Sequence, residues 1–321
     1  MRFLVFRGGA LGDVLLTLPV LQALRASEAS AFVELAASFP AALLARYGGA
    51  SSVSDINSAA FLSLFTDDDG LDRALRKRLH DVDRVICYLS DPKRTVRAKI
   101  ESCGCRLIEG PFRLDERRVP AAIQLAQPLG ELGLEIVDPV PHLFLERQPL
   151  PGARLVFHVG SGSPAKNWPI PRWSALASKL EGRFDELLLV SGEADEVPTT
   201  EFLRQYQSSK LRVRLNPSIL DLSQELAAAD LFVGHDTGVT HLAAALGVST
   251  VALFGPTDPM IWRPLGEHVT VVSSPDSTMA SITLEAVADA VGVRRSEGAS
   301  LATPGKDPRC IEDSNPTIRG L

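Results

Sequence analysis

Several features are scarce in this sequence, and each scarcity excludes a class of protein. The 321 residues include four cysteines and 6% aromatic residues, and 33 basic residues against 39 acidic ones give a formal net charge of −6. Four cysteines are too few for a disulfide-rich scaffold, and Cys103-Gly104-Cys105 lacks the spacing of common zinc sites. A negative net charge provides no general attraction for nucleic acid. We expect reduced thiols and no nucleic-acid partner.

Long apolar runs are also absent. The longest, residues 242–254, is about a dozen residues, short of the roughly 20 needed to span a bilayer. Arg7 and Asp13 interrupt the apolar start of the chain, so it does not resemble a signal peptide. These features predict a soluble cytoplasmic protein. Hydrophobic residues at 45% and charged residues at 22% are typical of a folded globular chain.

The sequence alternates apolar runs with stretches of helical spacing. In the first half, strands are predicted at residues 2–6, 32–36, 84–89 and 106–108. After a proline-rich segment near residue 150, strands are predicted at 155–159, 186–191, 231–233 and 250–254, with helices at 173–180, 222–229 and 239–246. Such alternation is typical of parallel α/β sheets.

This pattern predicts an α/β protein with two Rossmann-like domains. At about 150 residues per domain the chain length allows two, and we place them at residues 1–148 and 149–295, with their parallel sheets facing a central cleft. Residues 296–321 show no helical or strand period, so they are predicted to form a flexible tail.

Two loops in the second half have the composition of a phosphate site. Asp236 and Thr237 follow an apolar run and open a predicted helix, whose free N–H groups and positive dipole end favour an anion. Ser161 and Lys166 follow another predicted strand. Because ligands of parallel sheets bind beyond the carboxyl ends of the strands, these groups are expected to converge. The alternatives are that Asp236 only caps the helix and that Lys166 is a solvated surface residue.

Three segments together resemble glycosyltransferase family 9, which includes the ADP-heptose:lipopolysaccharide heptosyltransferases. They are GALGDVLLTLPVLQALR near the start, Lys166-Asn167-Trp168-Pro169, and DTGVTHLAAALGVSTVALFGPTDP from residue 236. The resemblance covers residues 1–292. It implies a GT-B fold in which the C-terminal domain holds the donor and the N-terminal domain holds the acceptor.

The resemblance also implies roles for particular residues. Asp13 would be the general base that deprotonates the acceptor hydroxyl, beside Gly12 on the acceptor side. The implied donor ligands are Ser161, Lys166, Thr237 and Gly238 for the diphosphate, and Asp236, Glu196 and His241 for the sugar and ribose. Three alternatives stay open: Asp13 caps a helix, Glu196 belongs to a solvated acidic loop, and His241 packs beneath the pocket.

Charged runs elsewhere suggest two further features. Lys93, Arg94 and Arg97, with Lys99, follow a predicted strand and would bind an anionic acceptor, unless they form an ordinary solvated face. Asp67-Asp68-Asp69 superficially resembles a metal-binding motif of another glycosyltransferase fold, but its position favours a helix cap or a loop. We therefore expect no metal and no cofactor.

The resemblance predicts an inverting, metal-independent glycosyltransferase. The expected reaction moves heptose from ADP-heptose to a lipopolysaccharide core or another cell-envelope glycan. The expected location is cytoplasmic, with a peripheral contact at the inner membrane as a further option. The alternatives are a non-catalytic nucleotide-sugar-binding protein and another GT-B enzyme such as a nucleotide-sugar epimerase.

Overall fold

A computed structural model describes residues 1–66, 70–115, 117–146 and 151–298 of the chain. The Asp67-Asp68-Asp69 run, the expected domain boundary at 148–149 and residues 299–321 of the expected tail lie outside this part. The helix that ends the described chain continues to Gly298. The first three residues of the expected flexible tail thus belong to this helix, and the tail itself stays a prediction.

The first half forms a five-stranded sheet in which every neighbouring pair is parallel, in the order β3-β2-β1-β4-β5. Its central strands are short apolar runs buried on both faces, as expected where helices cover both sides of a sheet. The strands are β1 (Arg2–Phe6), β2 (Phe32–Ala37), β3 (Ser52–Asp55), β4 (Arg84–Cys87) and β5 (Arg106–Glu109).

The second half forms a parallel six-stranded sheet in the order β11-β10-β9-β6-β7-β8. Both orders match the doubly wound Rossmann pattern, which confirms the predicted fold class. The strands are β6 (Arg154–His158), β7 (Glu186–Ser191), β8 (Leu211–Leu215), β9 (Leu231–His235), β10 (Ser249–Phe254) and β11 (Val269–Ser273).

Twelve α-helices connect the strands in the described part of the chain. Those of the first half are α1 (Leu11–Ala26), α2 (Ala59–Phe65), α3 (Arg73–His80), α4 (Thr95–Glu101), α5 (Ala121–Leu125) and α6 (Gln127–Gly130). Those of the second half are α7 (Ile170–Leu180), α8 (Glu196–Gln205), α9 (Ile219–Ala227), α10 (Gly238–Ala245), α11 (Pro259–Trp262) and α12 (Leu284–Gly298). Within the described ranges, none of these helices combines the length and apolarity needed to cross a membrane.

The two halves share a buried core. Helix α1 of the first half packs against α10 of the second. Val14, Leu18 and Leu21 from α1 belong to the same buried apolar cluster as Leu242 and Ala243 from α10. The burial of this apolar surface is the main favourable term that holds the halves together.

Each sheet has a point where its strand order reverses, between β1 and β4 in the first and between β6 and β9 in the second. At such a point the loops beyond neighbouring strands diverge and leave a crevice that binds ligands. Asp13 lies in the first turn of the helix after β1, and the segments that follow the other three strands carry Lys93 and Arg94, Ser161 and Lys166, and Asp236 and Thr237. The fold thus puts most of the predicted site residues at the two ligand-binding crevices.

Candidate functional site

On the N-terminal side, a tight turn brings the Asp13 carboxylate against the start of α1. Gly9 has a positive φ of 98°, and a Cβ there would lie 2.2 Å from Asp13 Oδ2, so only glycine fits. The backbone N–H of Ala10 donates to Asp13 Oδ2 at 2.9 Å. Asp13 therefore does cap the helix, and this contact fixes the orientation of its carboxylate.

The second oxygen of Asp13 is paired with a buried cation. Arg7 Nη2 lies 2.6 Å from Asp13 Oδ1, and the Arg7 side chain is 6% exposed while that of Asp13 is 36% exposed. Burial lowers the pKa of Arg7, and the charge of Asp13 opposes this shift. The cation is thus hidden and the carboxylate faces solvent. Sequence reasoning did not assign Arg7 to the site, although a cation at the end of a buried strand is a usable signal.

The C-terminal side has a similar ion pair with the opposite exposure. Lys166 Nζ lies 2.7 Å from Asp236 Oδ2, and here the cation is 28% exposed and the carboxylate 10%. Thr257 Oγ1 donates to the same carboxylate oxygen at 2.8 Å. Asp236 therefore holds Lys166 in place, and Lys166 presents its charge to solvent. Lys166 is therefore not the freely solvated surface residue of the alternative interpretation.

The two sides meet at the N-termini of α1 and α10. A Cβ on Gly238 would lie 2.9 Å from Leu11 Cβ and 3.0 Å from Gly12 N, distances that a real Cβ does not tolerate without movement. The close approach of the two helix ends therefore depends on glycine. Because both helices point their free N–H groups at this junction, their dipoles add a positive potential beside Asp13 and Lys166.

His241 lies beneath this junction, one turn into α10. The residue is buried, and its Nε2 is 4.0 Å from Asp236 Oδ1. Burial lowers the pKa of His241, and the charges of Asp236 and Asp13 oppose the shift. The imidazole thus packs under the site while it remains electrostatically close to both carboxylates.

A cavity of about 180 Å³ opens beside the α10 N-terminus. Its lining includes Ser161, Asp195 and Thr237, together with apolar side chains such as Val190 and Val239. Glu196, the expected ribose ligand, is exposed at the start of α8 and is not part of this lining. Its neighbour Asp195 is buried and faces the cavity, a carboxylate that sequence reasoning passed over.

His235 anchors the segment that carries Lys166. Its Nε2 accepts from the backbone N–H of Trp168 at 2.8 Å, and its Nδ1 donates to Gly160 O at 3.0 Å. Both contacts suit a neutral ring, and burial lowers the pKa of His235 to about 4. Trp168 is itself buried, and its Nε1 donates to Ile282 O at 2.9 Å. Lys166 thus projects from a rigid support.

The basic segment after β4 is less uniform than its sequence suggests. Arg97 Nη1 and Nε lie 2.9 and 3.0 Å from the carboxylates of Glu101 and Glu109, and the hydrogen bond to Glu109 raises the Arg97 pKa. Lys99 is buried and donates to the carbonyls of Ser63 and Thr66. Lys93 and Arg94 are exposed, so they are the two cations of the segment best placed to meet an anionic acceptor.

A second cavity, of about 460 Å³, lies on the N-terminal side of the cleft. Gly8 and Gly9 of the Asp13 turn form part of its wall, with Asn57, Leu62 and Phe65 from the segment that includes α2. This position suits an acceptor whose hydroxyl must reach Asp13. Among the residues that the structure describes, no three or more His, Cys, Asp or Glu side chains are grouped so that they could hold a metal ion.

Comparison with known proteins identifies one family. The model of glycosyltransferase family 9 (heptosyltransferase) matches residues 18–290. Lipopolysaccharide heptosyltransferase 1 of Pseudomonas aeruginosa is 39% identical over 111 residues, which span 34% of this chain and 31% of that protein. The first curated relatives are matched over only about a third of their own length.

Solved structures resemble the chain over nearly its full length. Escherichia coli heptosyltransferase WaaC with ADP superposes with a TM-score of 0.71 at 19% identity, and covers 92% of this chain and 100% of its own. The E. coli ADP-heptose lipopolysaccharide heptosyltransferase II gives a TM-score of 0.73 at 18% identity, with 93% and 100% covered. At these identities the likeness shows a shared fold.

Proposed function

This chain belongs to glycosyltransferase family 9, and we propose that it is an inverting glycosyltransferase that moves heptose from ADP-heptose to a lipopolysaccharide core or another cell-envelope glycan. The observation that carries the proposal is the opposite exposure of two ion pairs at one junction. Arg7–Asp13 presents a carboxylate to the cleft, and Lys166–Asp236 presents a cation. An exposed carboxylate and an exposed cation at one junction support this proposal, because single-displacement glycosyl transfer requires a base and an anion-binding group on opposite sides of the reacting carbon.

Asp13 is the proposed general base. The acceptor hydroxyl oxygen forms a bond to the anomeric carbon as its proton passes to the Asp13 carboxylate. The Ala10 N–H and Arg7 hold that carboxylate in one orientation. Gly238 keeps the start of α1, with Gly12 on the acceptor side, close to the C-terminal half, so that the acceptor and donor meet. Lys93 and Arg94 are the proposed contacts for anionic groups of the acceptor, and Arg97, which was also expected there, is paired with Glu101 and Glu109.

The donor is proposed to lie at the N-terminus of α10. As the bond to the anomeric carbon breaks, its electron pair passes to the nucleoside diphosphate. Lys166, Ser161 and the Thr237 and Gly238 N–H groups offset the added charge. A diphosphate stabilised in this way leaves without protonation, so no second acid is needed. Asp236 is proposed to contact the donor sugar with His241 packed beneath it, and Glu196 would have to reach the ribose from outside the cavity that Asp195 lines.

The positive charge needed by the leaving group comes from Lys166 and a helix N-terminus, so we propose that the reaction needs no metal ion or other cofactor. The nucleotide half of the donor would occupy the cavity that Asp195 and Val190 line.

The acceptor belongs to the cell envelope, so the proposed place of action is the cytoplasm, at the inner face of the membrane. The domain roles are proposed as acceptor binding by residues 1–148 and donor binding by 149–295.

Asp13→Asn is the decisive variant, because it removes the base and keeps the size of the side chain. Transfer of heptose from ADP-heptose to a purified core acceptor should fall by about 10²–10⁴-fold, while ADP still raises the melting temperature of the variant. Asp138→Asn, which alters an exposed carboxylate paired with His142 away from the cleft, is the matched control. Turnover that survives in Asp13→Asn would overturn the mechanism.

The same assay separates the alternatives. Product formed from the donor alone would indicate an epimerase, and ADP-heptose binding without transfer to any acceptor would indicate a binding protein. Activity that is lost with EDTA and restored by a divalent ion would overturn the metal-independent scheme.

A further inference from the structure

A buried hydrogen-bonded chain runs from Asp195 to the helix end where the diphosphate is proposed to bind. His158 Nε2 lies 2.9 Å from Asp195 Oδ2, and both side chains are at least nine-tenths buried. The other ring nitrogen, Nδ1, lies 3.4 Å from Thr237 Oγ1. All three residues line the cavity beside α10. The chain has the order carboxylate, imidazole, hydroxyl.

The positions of the protons along this hydrogen-bonded chain, in the protein without ligand, follow from the hydrogen-bond partners of Asp195 and His158. Asp195 Oδ2 also accepts from the Gly192 N–H at 2.9 Å. Burial alone would raise the pKa of Asp195, but the hydrogen bonds from His158 and from the Gly192 N–H oppose it, and the pKa lies below its ordinary value. An ionised Asp195 requires that His158 Nε2 carries a proton. In the neutral ring Nδ1 is then an acceptor, and the donor within reach is the Thr237 hydroxyl, which also lies 3.4 Å from Thr240 Oγ1.

A bound diphosphate changes the hydrogen-bond acceptor of the Thr237 hydroxyl. Phosphate oxygens at the α10 N-terminus are acceptors, so the Thr237 hydroxyl turns its proton to them. His158 Nδ1 then loses its donor while it remains buried, which is costly for a polar atom. If Nδ1 gains a proton from solvent, it donates to Thr237 Oγ1, and the new positive charge lies between Asp195 and the diphosphate.

We propose that His158 is a positioning residue for the donor, and that it takes up a proton from solvent when the diphosphate binds. This inference rests on the proposed function for the location of the diphosphate. Three groups face the ring: Asp195 from the turn after β7, His235 from β9 and Thr237 from the start of α10. Asp195 favours the charged ring, and His235 is neutral through burial, so it offers no opposing charge.

The test is calorimetric titration of the full chain with ADP in buffers of different ionisation enthalpy. At about pH 8, well above the secondary phosphate pKa of roughly 6, the wild type should take up close to one proton per ADP bound, and its affinity should fall by up to about tenfold per pH unit as pH rises. His158→Asn, whose amide reaches Thr237 without titrating, should bind with no such uptake. The difference between the two proteins cancels protons that belong to ADP itself.

Three variants separate positioning from mere structure. Thr237→Ser should keep the proton uptake and Thr237→Val should lose it, because only the former retains the hydroxyl. Asp195→Asn should reduce the uptake, because the imidazolium loses its counter-charge. His142→Asn is the matched control, since His142 forms a pair with Asp138 at the same 2.9 Å distance but lies outside the cavity. It should behave as wild type.

The outcomes distinguish this inference from the proposed function. Binding of ADP with equal proton uptake in wild type and His158→Asn would overturn the inference and leave the proposed function intact. A wild-type uptake near zero would do the same, and needs no variant to fold. If neither ADP, the other nucleoside diphosphates nor inorganic pyrophosphate binds at all, both the inference and the proposed donor site are wrong.

Discussion

The two sides of the cleft are built alike, yet they expose opposite charges. Each consists of a buried strand, a short turn and a helix whose N-terminus carries an acidic residue. Asp13 is paired at 2.6 Å and Asp236 at 2.7 Å, each with a cation. On the N-terminal side the cation is at the end of β1 itself and is buried. On the C-terminal side it comes from a different loop and reaches the carboxylate from the solvent side.

The same arrangement of strand, turn and helix thus exposes a carboxylate on one side and a cation on the other. An Asp at a helix N-terminus is stabilised by the dipole in both cases. The direction from which the paired cation approaches decides whether the carboxylate or the cation is exposed. Arg7 approaches from inside the sheet and leaves the carboxylate available as a base. Lys166 approaches from the cleft, shields Asp236 and remains available to an anion.

The supports of the two pairs also differ. Arg7 itself forms the support on the N-terminal side, with its guanidinium 5.6 Å from the ring of the buried Tyr88. On the C-terminal side the segment that carries Lys166 is anchored by a hydrogen bond to the neutral ring of His235, and Thr237 faces His158. A guanidinium keeps its charge throughout the ordinary pH range, while an imidazole does not. Sensitivity to acid should therefore be concentrated in the C-terminal half.

The largest effect among the tests of this contrast is expected at Lys166. Lys166→Met keeps the apolar stem and removes the charge that is proposed to meet the donor diphosphate. ADP affinity measured by calorimetry should fall by about 100-fold, close to 3 kcal/mol, the upper range for a charged hydrogen bond. Lys179→Met, on an exposed part of α7, is the control and should bind normally. An unchanged affinity in Lys166→Met would mean that this pair is structural only.

The acid sensitivity should be traceable to His235. Its pKa is lowered from 6.5 to about 4 in the fold, so the unfolded chain binds a proton more readily between those values. Stability is therefore fully present above about pH 6.5 and falls by about 3 kcal/mol as pH drops to about 4. Denaturant unfolding across this range should show that loss in wild type and a flatter profile in His235→Gln. His80→Gln, at an exposed position, should retain the wild-type slope.

The junction between the two helix ends can be tested by adding one methyl group. In Gly238→Ala the new Cβ lies too close to Leu11 and Gly12, so the helices must separate, at a cost of about 1–3 kcal/mol in the free energy of unfolding. Transfer should fall as well, because the base and the diphosphate site move apart. Gly292→Ala, in α12 with open space around its Cβ, should be neutral or stabilising by up to about 1 kcal/mol. Equal effects of the two changes would argue against a tight junction.

The sequence predicted the fold where burial was complete. Strands such as 186–191 are continuous apolar runs, because parallel strands with helices on both faces need them. The three strands that were missed, β3, β8 and β11, all lie at sheet edges. β8 reads LRVRL, in which Leu211 and Val213 pack against the core and alternate with exposed arginines, so this edge strand has no continuous apolar run.

Within the site, the sequence identified turns and helix ends but not the partners of their side chains. The glycine turn at Asp13 and the helix start at Thr237 are local features with local signals. The pairing of Arg7 with Asp13, and of Asp195 with His158 at 2.9 Å, depends on strand register and on contacts between distant segments. The basic run after β4 is the clearest case, since only the structure shows the two glutamates around Arg97.

The smallest expected effect is at Arg97 in this basic run, and it tests which of its cations meets the acceptor on the N-terminal side of the cleft. Arg97 is occupied by Glu101 and Glu109, so Arg97→Ala should change the acceptor KM by less than about twofold and the free energy of unfolding by less than about 1 kcal/mol, as for exposed ion pairs. Arg94→Ala, which removes an exposed cation three residues earlier, should raise the acceptor KM several-fold at low salt and less at high salt, because ions screen exposed charges. If Arg97→Ala instead gives the larger and salt-sensitive rise in KM, the glutamates must release Arg97 to the acceptor. The anionic part of the acceptor would then lie along α4, and not at the turn before it.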